Sequence, residues 1–169
     1  SGWTLHAHHS TSDWVIHSIF YRVATSADNG SPSYAFTCTG GPYTEGVIFR
    51  VTDFNPSTPM DTPYTFATGM SGSTRPNAGI TTTEDYTLLV YFCGGADTIT
   101  AAPSGMTEVY RSGGFGIWVE DRASAGATGS RTSSQTSSFW AATTFAIRGA
   151  GSASRPLFRQ PRRFITARR

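Results

Sequence analysis

Residues 86–93, YTLLVYFC, are the most continuously apolar stretch of the chain and are closed off by Gly94–Gly95. Eight residues is a strand's length and falls short of a core helix. Apolar side chains at successive positions suit a strand covered on both faces. The segment therefore predicts a central strand, which needs partners on either side and a layer above and below. Other segments supply those partners by alternation. Val47, Phe49 and Val51 alternate with polar neighbours; Phe115, Ile117 and Val119 share one face of 115–122; Phe139, Ala141, Thr143, Phe145 and Ile147 share one face of 139–148.

Further strands are expected at 14–25, WVIHSIFYRVAT, at Tyr34–Cys38 and at Met106–Arg111, separated by Asn29–Gly30, Gly40–Gly41–Pro42 and Pro103–Ser104–Gly105. The proline- and glycine-rich segment 53–83 reads as a long surface excursion with one short strand at Tyr64–Phe66. Residues 123–138, ASAGATGSRTSSQTSS, read as a turn-rich connection. Seven or so short strands between such turns predict an all-β protein, a β-sandwich or jelly roll. Gly, Ser and Thr make up 63 of 169 residues, and only 14% are charged. The 22 aromatic residues set the chain apart from acidic or basic disordered sequences. No apolar run approaches the 18 residues of a membrane span, and SGWTLHAHHS lacks the basic and apolar regions of a signal peptide.

Charge is divided unevenly. All 13 basic residues are arginine, and seven fall in residues 148–169, which hold no acid. Residues 1–147 carry six arginines against all 11 carboxylates, so a body of −5 precedes a tail of +7. The chain thus divides into a body, 1–148, and an arginine-rich arm, 149–169. The arm opens as a Gly/Ser/Ala spacer. It then interleaves Arg155, Arg159, Arg162, Arg163, Arg168 and Arg169 with the apolar anchors Leu157, Phe158, Phe164 and Ile165. Pro156 and Pro161 disfavour helix and hold the segment extended. Guanidinium forks and aromatic anchors on an extended strip suit docking to a protein surface, and the acidic body of a neighbouring copy is one such surface. An unstructured solubilising tail is the main alternative, and contact with nucleic acid the lesser one.

Nothing points to catalysis. Glu84–Asp85 and Glu120–Asp121 are adjacent pairs whose members point to opposite faces of a strand. G-x-S-x-G, the P-loop and H-E-x-x-H are all missing. His6, His8, His9 and His17 match no metal motif and read as polar surface or interface residues, so no cofactor or metal is expected. Cys38 and Cys93 both sit in apolar segments, as buried free thiols or as a disulfide. Trp3, Trp14, Trp118 and Trp140 read mainly as core aromatics. Tyr64 and Phe66, inside the proline-rich segment, are the candidates for an exposed glycan contact.

Several segments resemble a recurring β-sandwich domain of bacteriophage virion proteins and bacterial surface proteins. These are GWT at 2–4, FYRVAT at 20–25, SYAFTCTG at 33–40, FNPSTPMD at 54–61, PSGMTEVYR at 103–111, ASAGATGSRT at 123–132 and WAATTFAIRG at 140–149. The resemblance spans about residues 2–150, rests on turns and strand ends, and carries over no catalytic residue. It implies a virion structural component (decoration, fibre or tail-associated) whose partners are other virion proteins and copies of itself. A carbohydrate-binding adhesin for host surface glycans and a hydrolase of surface polysaccharide are the alternatives. In the family the GWT-like segment follows further strands, so the sheet edge here is expected to be completed by residues upstream or by a donated strand. The arginine arm is foreign to the family pattern.

Overall fold

The computed structural model describes residues 2–11, 15–28, 34, 36, 45–61 and 63–151. The arginine-rich arm from residue 152 onward, together with Cys38 and Trp14, lies outside them. The described residues form an all-β sandwich of antiparallel sheets with no α-helix and one short 3-10 turn, Ser26–Asp28.

The apolar run is the centre of the molecule, as its composition requires. Twelve strands are present among the described residues. A five-stranded sheet has the order β3 (Thr65–Gly69), β12 (Trp140–Arg148), β6 (Thr87–Gly95), β9 (Phe115–Arg122), β8 (Thr107–Ser112). β6 has β12 on one side and β9 on the other, and Leu88 to Tyr91 are all buried. Register sorts the two faces. Phe66, Thr143, Phe92 and Ile117 lie in one row across β3, β12, β6 and β9. That face collects Leu88, Val90, Val109, Val119 and Phe145. The opposite face carries Tyr91, Cys93, Trp118, Ala142 and Leu89.

Each face has its own cover. Over the second lie a three-stranded sheet, β4 (Thr74–Asn77), β11 (Arg131–Gln135) and β7 (Ile99–Ala101), and the short pair β5 (Thr81–Thr82) with β10 (Gly126–Ala127). Over the first lie the extended segment 45–60, through Val47, Phe49, Val51 and Met60, and the hairpin of β1 (Thr4–Thr11) with β2 (Val15–Tyr21), through Ile19.

Five expectations are corrected. Segment 53–83 holds β4 and β5 as well as β3, which overlaps the one short strand expected there, and residues 123–138 hold β10 and β11. Val47–Val51 pack against the core as alternation predicts but form no ladder; bridges at Phe54–Gly149 and Met60–Ile147 tie the end of their segment to β12. The strand expected at 14–25 stops at Tyr21, and Tyr34 and Phe36, the described parts of the one expected at 34–38, lie in no strand.

The second layer is polar on its inner face. Buried and exposed residues alternate along β4 and β11, and the buried ones are Arg75, Asn77, Ser133 and Gln135. Pro76, the exposed position between Arg75 and Asn77, is tolerated because β4 is an edge strand. Buried polar groups are stable only when bonded, and these form a network. The Arg75 guanidinium donates to Gln135 Oε1 (2.6 Å), the Gly114 carbonyl (2.5 Å) and the Asp97 carbonyl (2.7 Å), and Nη1 lies 3.6 Å from Cys93 Sγ. The Tyr91 hydroxyl donates to the Arg75 carbonyl, and Asn77 Nδ2 donates to Thr144 Oγ1. Cys93 is a free, buried thiol whose pKa is raised by burial.

Asp61 fastens the 45–61 segment to the sandwich. Its fully buried carboxylate accepts the Thr83 amide (2.8 Å), the Thr83 hydroxyl (2.6 Å) and Arg148 Nε (3.1 Å). Asparagine keeps one acceptor oxygen and turns a donor toward groups that donate. Asp61→Asn should therefore cost about 2 kcal/mol, read as a lower urea midpoint with an unchanged slope.

Candidate functional site

The β1–β2 hairpin has two chemically different faces, and a bulge creates the difference. Pairing runs Leu5↔Phe20, then skips to Ala7↔Ile19, His8↔Ser18 and His9↔His17. The extra residue, His6, breaks the alternation, so that Leu5 stays exposed beside Phe20 while Ala7 is buried.

The outer face is aromatic and open to solvent. Leu5 is 53% exposed, Phe20 43% and Phe36 48%. Trp3 joins this surface: its ring lies 5.3 Å from Tyr34 and 5.4 Å from Phe36, and Phe36 lies 6.1 Å from Phe20. A polar clamp holds one rim. Asp28 accepts the Thr25 amide (2.8 Å) and the Tyr34 hydroxyl (2.7 Å), pairs with Arg22 (2.8 Å), and Arg22 lies over the Tyr34 ring. The Thr25 amide first, then the Tyr34 hydroxyl, hold the Asp28 carboxyl down to about 2, and that same bond raises the Tyr34 phenol. The clamp fixes Tyr34 where Trp3 meets it edge-on.

The inner face is made of histidines on an aromatic floor. His9 stacks on Phe66, centroids 3.9 Å apart and planes within 9°. His17 lies 4.2 Å from the Phe92 ring, with Nδ1 3.4 Å from Thr143 Oγ1. His6 meets Tyr64 at 5.5 Å and Phe145 at 5.6 Å. Gly94 leaves room for this docking, because a Cβ there would sit 2.8 Å from His17 Nε2.

Tyr64 and Phe66 are thus half-buried against His6 and His9 instead of forming an exposed contact, while Phe66 lies in β3, which overlaps the short strand expected there. The residues expected to dock, Arg155, Leu157, Phe158, Arg159, Arg162, Arg163, Phe164, Ile165, Arg168 and Arg169, lie outside the described residues. Of the acidic pairs, Glu120 is engaged by Arg122 and Arg131, and Asp85 accepts the Ala125 amide. Among the described residues no three His, Cys, Asp or Glu side chains are grouped to hold a metal ion, and no helix is long and apolar enough to cross a membrane. Sequence reasoning missed the outer patch; its signal was Trp3, Leu5, Phe20 and Phe36 flanking a histidine-rich strand. Comparison with protein-family models, with curated proteins and with solved structures gave no match.

Proposed function

We propose that this chain is a non-enzymatic structural component of a larger assembly, a bacteriophage virion, in which it docks onto copies of itself and other virion proteins. The observation that carries the docking reading is the exposed aromatic patch on the outer hairpin face. Contiguous large apolar side chains at that exposure characterise interaction surfaces, and Trp, Tyr and Phe are the residues that anchor them. The virion context rests on the sequence resemblance. The arginine arm supplies a second attachment, drawn to an acidic body. The patch favours a protein partner over a sugar: Trp3 crosses Tyr34 at 89° and Phe36 at 62°, whereas a flat pyranose face calls for a level platform.

Sedimentation equilibrium of the full chain tests this reading. The chain should self-associate, and Leu5→Ser with Phe20→Ser should weaken the association at least tenfold, about 1.4 kcal/mol. A chain ending at Gly149 should remain folded but associate less. A full chain that stays monomeric at millimolar concentration, or a double variant that associates like the parent, would sink the proposal.

A further inference from the structure

The inner face of the hairpin does something different from the outer face, and its chemistry stands independently of the virion reading. Three imidazoles are inserted between the hairpin and the sheet. His6 Nε2, His9 Nε2 and His17 Nε2 are all buried without a hydrogen-bond partner. A neutral imidazole tolerates this, because one nitrogen is only an acceptor left unused. An imidazolium does not: both nitrogens then donate, and the charge is held out of water with no acceptor for the Nε2 proton.

The surroundings offer such a charge little relief. β1 brings His8 beside His9, and β2 brings Tyr21 near His6. Tyr64 and Phe66 face the hairpin from β3 and the residue before it, Phe92 and Gly94 from β6, and Thr143 and Phe145 from β12. Arg75, a positive charge in the other layer, acts on His17 against protonation. In the neighbouring segment Glu45 accepts the Tyr110 hydroxyl, and Asp61 is held by Thr83 and Arg148. Among the described residues no carboxylate pairs with a histidine. Asp13, between β1 and β2, lies outside them.

We propose that the β1–β2 hairpin is an acid-released cover: proton uptake by His17, His9 and His6 undocks it from the five-stranded sheet and bares the strip formed by Tyr64, Phe66, Phe92 and Phe145. The hairpin is suited to this because, among the described residues, β1 and β2 pair only with each other, and neither forms a ladder with the five-stranded sheet. Histidine is the side chain whose ordinary titration falls in mildly acidic solution. Burial, then His9, then Arg75 push the His17 pKa down to about 3, and burial lowers those of His6 and His9. An undocked histidine protonates near 6.5, so below that pH the undocked form binds more protons. Docking is then complete above pH 6.5, weakens as pH falls toward 3, and for His17 has lost its full share below that.

Amide hydrogen exchange on the full chain at low micromolar concentration, with intrinsic rates corrected for pH, reads the release directly. Between pH 7.5 and 4.5 the amides of β1 and β2 should lose at least a hundredfold in protection relative to those of β6 and β12. This follows from about tenfold per pH unit for each titrating histidine. The variant His6→Phe with His9→Phe keeps the aromatic packing and removes two proton sites, so its loss should be at least tenfold smaller. Equal relative protection of the hairpin at both pH values in the parent chain overturns the proposal without recourse to any variant. An undiminished acid loss in the double variant together with His17→Asn overturns it as well.

Discussion

Arg75→Met should lower the stability of the chain by about 4 kcal/mol, one of the largest losses available to a single substitution here. Methionine fills much of the space of the arginine stem but carries no donors. Gln135 Oε1 and the carbonyls of Gly114 and Asp97 would then lose donors at 2.6, 2.5 and 2.7 Å. Each buried acceptor left unpaired costs about 1–3 kcal/mol. Part of that is returned because a buried positive charge, which has no ion-pair partner among the described residues, is no longer held. The acceptors dominate because they come from three separate places, β11, the β8–β9 turn and the residues between β6 and β7. Arg75→Lys should be nearly as damaging, since one ammonium on a flexible stem cannot span acceptors fixed by a planar fork. Urea unfolding followed by tryptophan fluorescence measures both variants. A loss under 1 kcal/mol for Arg75→Met would mean that the network does not hold the layers together.

The same network explains which parts of the fold were legible in the sequence. β6, β9 and β12 bury apolar side chains, so runs and alternation located them to within a residue or two. β4 and β11 alternate just as regularly, but their buried positions are Arg75, Asn77, Ser133 and Gln135. A pattern that treats buried as apolar assigns such residues outward or to a loop. What makes them acceptable inside is mutual satisfaction across β4, β11, β6 and the β8–β9 turn, a property of tertiary placement that no window of sequence contains. The converse holds for Val47, Phe49 and Val51, whose alternation is real and whose side chains reach the core, yet no strand pairs with them. At the hairpin, periodicity failed for a local reason. The bulge between Leu5 and Ala7 leaves Leu5 outside, so the surface patch and the histidine floor contacts could not be read from even spacing. The arm, legible as charge and anchors, lies outside the described residues.

Gly114→Ala should destabilise the chain by about 3 kcal/mol, in the upper range for overpacking, and act through the same network as Arg75. Gly113 and Gly114 form the two-residue turn between β8 and β9, with Gly113 at φ +53°. Gly114 is needed for close approach: a Cβ there would lie 2.0 Å from the Gly95 carbonyl oxygen and 2.9 Å from that of Asp97. These are backbone atoms, which no rotamer change can move. The turn must retreat from residues 95–97, and two of the three oxygens that receive the Arg75 guanidinium, on Gly114 and Asp97, separate as it does. Arg75→Met and Gly114→Ala therefore damage one set of contacts. The double variant should lose at least about 1 kcal/mol less than the two single losses added together. Strict additivity in urea midpoints would mean that the turn clash and the guanidinium act separately, and would remove Gly114 from the account of why Arg75 is buried where it is.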